Sequence, residues 1–297
     1  MFKVILLGTG FPTPQPHRYG SSYLVQIDNE VLMFDCGPGA TQRVAASSVQ
    51  FRQIDCLFLT HHHFDHIADY PAFYLVRWDQ GAGKVKPLQV FGPHGTERLS
   101  RLLFGPEGAF MPDFVSRTRH PASLQMYTLR GGELPRLPPE FCARDVQSGL
   151  VHTGRRYEVN AAPVIHFQPY LDSLAYRVDS PAGSVVITGD CGPCASVVRF
   201  ARGADVMVFC IAGSDKAADF SDVWQSSESS DVWYAMSGPA GAARIAEEAG
   251  VKKLVMVHLA ECYNDPEVLA RAVATAQGVF SGQVVVGEDL MEITVSE

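Results

Sequence analysis

Short apolar runs rich in β-branched residues and ended by Gly, Pro or Asp set the rhythm of the first third of the chain, at residues 3–7, 22–27, 31–34 and 56–60. Runs of this length and composition read as strands. Strands are expected again at 174–178, 184–188, 205–209, 253–257, 283–286 and 291–295. Helices are expected over 195–202, 240–249 and 266–277, the second of them stopped by Gly250. Between about 95 and 160 the rhythm breaks, because Gly105-Pro106, Gly131-Gly132 and Pro135, Pro138 and Pro139 interrupt any period. The pattern predicts layered α and β structure in a single domain spanning 1–297, with an irregular insertion or cover at about 95–160.

Composition narrows the class. At 297 residues, 46% hydrophobic and 19% charged, the chain carries enough apolar surface for a sizeable core, which excludes disordered and fibrous classes. The net charge of −8 repels phosphate backbones on average, so a nucleic-acid partner would need a local basic patch. No run of 18 or more apolar residues is present, and no membrane association is expected. Seven scattered Cys do not form a disulfide framework, which fits a reducing cytoplasm.

The densest chemistry is His61-His62-His63-Phe64-Asp65-His66, directly after the apolar run ending at Thr60. In extended chain, residues two apart project to one side, so His61 and His63 can share an ion while His62 points elsewhere. Asp65 and His66 sit where the chain would turn into a helix, able to present a carboxylate and an imidazole to a second ion. Such N and O donors suit zinc first, with manganese or ferrous iron as alternatives.

This H-x-H-x-D-H segment resembles that of the metallo-β-lactamase superfamily. Gly8-Thr9-Gly10-Phe11-Pro12 and Phe34-Asp35-Cys36-Gly37-Pro38-Gly39 are similar to opening segments of its tRNase Z and arylsulfatase-like branch. Val164-Ile165-His166 before 173–178, Thr188-Gly189-Asp190, and Val255-Met256-Val257-His258 resemble its later ligand segments, in family order. The resemblance implies an α/β fold, a four-layer αββα sandwich. It also implies that His61, His63 and His166 hold one divalent ion, and Asp65, His66 and His258 a second, with Asp190 bridging. Asp65 would also orient the water that attacks. Each of these ligands lies at or just beyond the end of an apolar run, where loops gather.

Other residues receive quieter readings. His152 competes with His166 but sits in a polar loop, while His17, His94 and His120 read as surface or structural groups. Cys191 and Cys194 form a lone C-x-x-C, read as packing beside Asp190. Enzymes of the tRNase Z type carry a Glu and a His that relay a proton to the leaving group. Here Ile211 and Ala235 fall at those places, and neither can transfer a proton; Glu228 or Asp231 are distant substitutes. The missing relay and the acidic charge lead to an expectation of a hydrolase for a small-molecule ester, lactone or related bond. Nucleic acid is an unlikely partner on this reading, and a homodimer is left open. The alternatives are a tRNase Z-like phosphodiesterase or arylsulfatase, and a non-hydrolytic metal-containing binding protein.

Overall fold

The computed structural model describes residues 2–212 and 236–295. In chain order the first half holds β1 (Phe2–Gly8), β2 (Ser22–Ile27), β3 (Glu30–Phe34), α1 (Ala40–Ala46), β4 (Ile54–Phe58), α2 (Phe64–Ile67), α3 (Tyr70–Gly81) and β5 (Gln89–Gly92). The stretch from 95 to 160 contains three short helices, α4 (Thr96–Phe104), α5 (Met111–Arg119) and α6 (Pro121–Leu129), then β6 (Cys142–Asp145) and β7 (Gly149–Thr153). Next come β8 (Glu158–Pro163), β9 (Leu174–Ser180), β10 (Gly183–Asp190), α7 (Ala195–Phe200) and β11 (Val206–Cys210). The last elements are α8 (Pro239–Ala249), β12 (Lys253–Val257), α9 (Pro266–Gln277), β13 (Gln283–Val286) and β14 (Glu292–Thr294).

Among the described residues the strands form two seven-stranded sheets, ordered β14-β1-β2-β3-β4-β5-β6 and β13-β12-β11-β10-β9-β8-β7. Each is mixed: β3 to β6 run parallel, as do β10 to β13, while the hairpins β1–β2 and β9–β10 are antiparallel. The two-residue period of a strand explains the layering. Val4, Leu6, Val25, Phe34 and Phe58 turn inward and meet Val159, Tyr176, Val185, Val208 and Val257 between the sheets. Their neighbours Ile5, Leu7, Met33 and Leu57 turn outward under α1, α3 and α4. On the far side Val186, Met207, Phe209 and Met256 lie under the alanine-rich faces of α8 and α9. Both faces of each sheet are therefore covered, which is why the strands read as continuous apolar runs rather than alternating ones. The architecture is the expected αββα sandwich.

The helices α5 and α6 are tied to α3 through one carboxylate. Asp79 accepts from Arg136 and Arg130 at 2.6 Å and from Arg117 at 2.9 Å. Arg136 is buried and lies over the rings of Trp78 and Tyr127. No helix among the described residues is long and apolar enough to cross a membrane.

Candidate metal centre

The carboxyl ends of β4, β8, β10 and β12 meet at one edge of the sandwich. Leu174 N–H donates to Thr60 O at 2.9 Å and Tyr176 Oη to Leu59 O at 2.9 Å, drawing the end of β4 against β9. Gly189 adopts φ 57°, and a Cβ there would lie 2.6 Å from Thr60 Cβ, so only glycine lets β10 approach the loop that follows β4. Gly37 is equally constrained, with a Cβ position 2.0 Å from Asp65 O.

These approaches bring seven side chains into two groups that share one carboxylate. His61, His63, His166 and Asp190 form one group, and Asp65, His66, Asp190 and His258 the other, with ligand atoms in each lying within 4.8 Å of one another. In the first, His63 Nδ1 lies 3.1 Å from His61 Nε2 and 3.1 Å from His166 Nε2. Asp190 Oδ2 is 3.9 Å from His61 Nε2 and 3.6 Å from His166 Nε2. In the second, Asp190 Oδ1 is 3.2 Å from His66 Nε2 and 3.6 Å from His258 Nε2, and Asp65 Oδ2 is 3.4 and 3.2 Å from the same nitrogens. A tetrahedral ion with bonds of about 2.0–2.1 Å would hold its donors about 3.3 Å apart.

The donor set fits cations on its own chemistry. Three imidazole nitrogens face one another in the first group, where hydrogens could satisfy only part of the set. In the second, His66 Nε2 and Asp190 Oδ1 are buried with no hydrogen-bond partner. The outer ring nitrogens are committed elsewhere: His66 Nδ1 to Asp35 Oδ2 at 2.7 Å, His61 Nδ1 to Thr60 Oγ1 at 3.0 Å, and His258 Nδ1 to Ile211 O at 3.4 Å. Protons held on the outside leave lone pairs directed inward. Thr60 Oγ1 donates to Asp35 Oδ2 at 2.8 Å and Thr60 N–H to Asp35 Oδ1 at 2.7 Å, so a single buried carboxylate orients both His61 and His66. Burial, reinforced by nearby imidazoles, holds His61 well below the usual imidazole range, and burial also lowers His63. Burial alone would lower His66, but Asp190 and Asp35 outweigh it and raise the imidazole well above its ordinary value. The same pocket that lowers His61 and His63 therefore calls for positive charge beside Asp190.

Two site residues adopt left-handed backbone that non-glycine residues rarely take: Asp35 at φ 56° and His258 at φ 63°. Phe11 packs edge-on against His258, with ring centroids 4.8 Å apart, in the loop opened by Gly8-Thr9-Gly10. His62 turns away to Thr96 Oγ1 at 2.8 Å. His152 lies apart on β7, against Cys56 and Tyr157. Cys191 and Cys194 are buried and unlinked under α7, and the Cys191 thiol holds that of Cys194 down to about 5. At the expected relay positions, Ile211 is buried and offers only its backbone to His258, while Ala235, Glu228 and Asp231 lie outside the described residues. In the sequence Asp35 is only one residue of the Phe34–Gly39 segment; it follows the end of β3, and its N–H bond to Phe58 O beside β4 sets it against Thr60 and His66.

A family model described as the metallo-beta-lactamase superfamily matches residues 16–231. The chain belongs to that superfamily. It is a metal-dependent hydrolase, and its fold calls for divalent metal ions. A protein named Ribonuclease Z from Mycobacterium avium (strain 104) is 33% identical over 297 residues, covering 99% of both chains. One of the same name from Mycobacterium marinum is 32% identical over 303 residues with the same coverage. Among solved structures, the metallo-beta-lactamase fold protein YhfI from Bacillus subtilis is similar with TM-score 0.70 and 20% identity, over 98% of both chains. The short form of human tRNase Z follows with TM-score 0.66 and 20% identity, over 99% of this chain and 100% of that one. The chain sits in the tRNase Z branch of the superfamily.

These relatives overturn two expectations, that of a small-molecule ester or lactone hydrolase and that of nucleic acid as an unlikely partner. Both rested on quantities that do not decide substrate. Net charge averages over the whole surface, and a missing relay side chain changes the leaving-group side of a site without changing what the metal side attacks.

Proposed function

We propose that this protein is a ribonuclease of the tRNase Z kind, hydrolysing an RNA phosphodiester at a dinuclear, zinc-type centre. The observation that carries the reading is Asp190, which turns one oxygen to each of two donor groups in a chain related end to end to proteins named Ribonuclease Z. His61, His63 and His166 would hold one ion, and Asp65, His66 and His258 the other. Nitrogen-rich donor sets at near-tetrahedral spacing favour zinc over magnesium or calcium. When bound, such a pair supplies Lewis acidity toward a phosphoryl oxygen and a water ionised near neutral pH.

The chain's own residues do the rest. Asp65 directs Oδ2 to His258 and His66, which leaves Oδ1 to orient the attacking water and take its proton. Asp35, through Thr60, keeps the imidazoles in the tautomer that can ligate. With no carboxylate at 211, the departing ribose oxygen receives no proton from that position. The free state of every cysteine is in keeping with a cytoplasmic setting.

The test is incubation of the zinc-reconstituted chain with a 3′-extended tRNA transcript. The expected result is cleavage that stops with chelator and with Asp190→Ala, leaving no 2′,3′-cyclic phosphate, because water rather than the ribose hydroxyl attacks. Absence of cleavage on every RNA tried, by protein shown to hold its metal, overturns the reading.

A further inference from the structure

Few large aromatic side chains stand in solvent among the described residues, and most of those that do flank the metal-site histidines. Phe64, 60% exposed, lies between His63 and Asp65; Phe167, 50% exposed, follows His166; Tyr170 is 93% exposed. The Phe167 ring meets His166 edge-on at 4.4 Å between centroids and His63 at 5.2 Å. Scattered single apolar residues on a surface need no explanation, but a group confined to two ligand-bearing segments does. Their loop is also built rather than loose. Gln168 accepts from His166 N–H at 2.7 Å through its side chain and donates to Val164 O at 2.8 Å, and Tyr170 N–H donates to Phe167 O at 3.0 Å.

Charge tells what this rim would hold. Residues 61–67 and 164–173 contain no Lys or Arg and include Asp65 and Asp172, so these segments offer a polyanion nothing to grip by its phosphates. Phe167 sets an aromatic ring beside two histidines that would hold metal, and Phe64 and Tyr170 stand exposed on the same two segments. An aromatic face accepts any nucleobase, provided the base is free to leave its helix. We propose that Phe64, Phe167 and Tyr170 form a stacking platform for unpaired nucleobases next to the scissile phosphate, so that the enzyme selects a single-stranded junction. The proposal rests on the ribonuclease reading above and adds to it the residues that recognise the junction.

Stacking on an aromatic is worth roughly fivefold to a hundredfold per base when the ring is removed. The experiment compares two RNAs that differ only at the cut, one with unpaired bases on both sides and one with abasic nucleotides there. Wild type should cleave the abasic RNA at least tenfold less efficiently, by kcat/KM at equal metal content. In Phe167→Ala that gap should narrow to under threefold, and Phe167→Trp should restore it where Phe167→Leu does not. A 2-aminopurine at the junction reads the contact without catalysis: its fluorescence should be quenched on binding wild type and recover with Phe64→Ala, Phe167→Ala or Tyr170→Ala. If wild type cleaves both RNAs equally, or if the three alanine variants leave the quenching and the gap unchanged, the platform is wrong while the ribonuclease reading stands. If wild type cleaves neither, the ribonuclease reading itself fails.

Discussion

Replacing Asp35 by Asn tests whether one buried carboxylate sets the tautomers of two histidines. Asp35 is fully buried and receives three donors, Thr60 N–H, Thr60 Oγ1 and His66 Nδ1, at 2.7–2.8 Å. An amide of the same shape has one accepting oxygen and one donating nitrogen. If the NH2 faces the Thr60 backbone, two donors collide and a buried N–H is stranded, costing about 1–3 kcal/mol. If it faces His66, that ring must accept at Nδ1 and carry its proton on Nε2, the atom directed at Asp190 Oδ1. Thr60 Oγ1 would lose its acceptor as well and could turn its hydrogen toward His61 Nδ1, passing the same inversion to the first group. Loss of such a supporting carboxylate typically weakens metal binding about 10- to 100-fold, or about 1.4–2.8 kcal/mol. Zinc competition against a chromophoric chelator measures this directly, with far-UV circular dichroism to show that the variant stays folded. A folded Asp35→Asn protein binding zinc within twofold of wild type would refute the tautomer argument.

Asp190→Ala should weaken both ions together, since each group uses a different oxygen of that side chain; elemental analysis finding one ion fully retained would reject the bridge. Asp79→Ala should destabilise the fold by about 3–5 kcal/mol in denaturant melts at pH 7, because the buried Arg136 loses its carboxylate partner. Burial opposes ionisation of Asp79, but hydrogen bonds from Arg136 and Arg130 outweigh it and lower its pKa. Its contribution is therefore complete above the ordinary carboxylate value of about 3.9 and is lost as pH falls through the lower folded value. The gap between wild type and Asp79→Ala should stay flat from about pH 5 to 8 and close in acid; a gap that grows below about pH 4 would contradict the sign. Gly37→Ala places a Cβ 2.0 Å from Asp65 O and should lower both melting temperature and metal content, whereas an unchanged protein would show that the loops part without cost.

Much of the centre was legible in the sequence because its donors end apolar runs, and parallel strands deliver their carboxyl ends to one edge. His61, His63, His166, Asp65, His66, Asp190 and His258 are all brought together. The strand pattern was legible for a related reason: both sheets are covered on both faces, which leaves unbroken apolar runs. The helices α4 to α6 were harder to see, since Gly105-Pro106 and Gly131-Gly132 read as breaks in a period but only follow the ends of α4 and α6, while α5 and α6 open on Pro112 and Pro121 in first helical turns, where proline starts a helix. The role of Asp35 exists only after β3 and β4 pair, which sets it beside Thr60, 25 residues on. The left-handed backbone of His258 has no signature in its residue type. Substrate was misread because −8 is a sum over the whole chain, and position 211 speaks only for one side of the site.

The most direct measurement follows cleavage of a 3′-extended tRNA transcript while zinc is titrated into metal-stripped protein. Two ions sharing Asp190 predict activity that rises steeply with the second equivalent and reaches its plateau at about two per chain, with the scissile bond cut by water. A plateau at one equivalent, or two tightly bound ions with no cleavage of the transcript, would contradict the account.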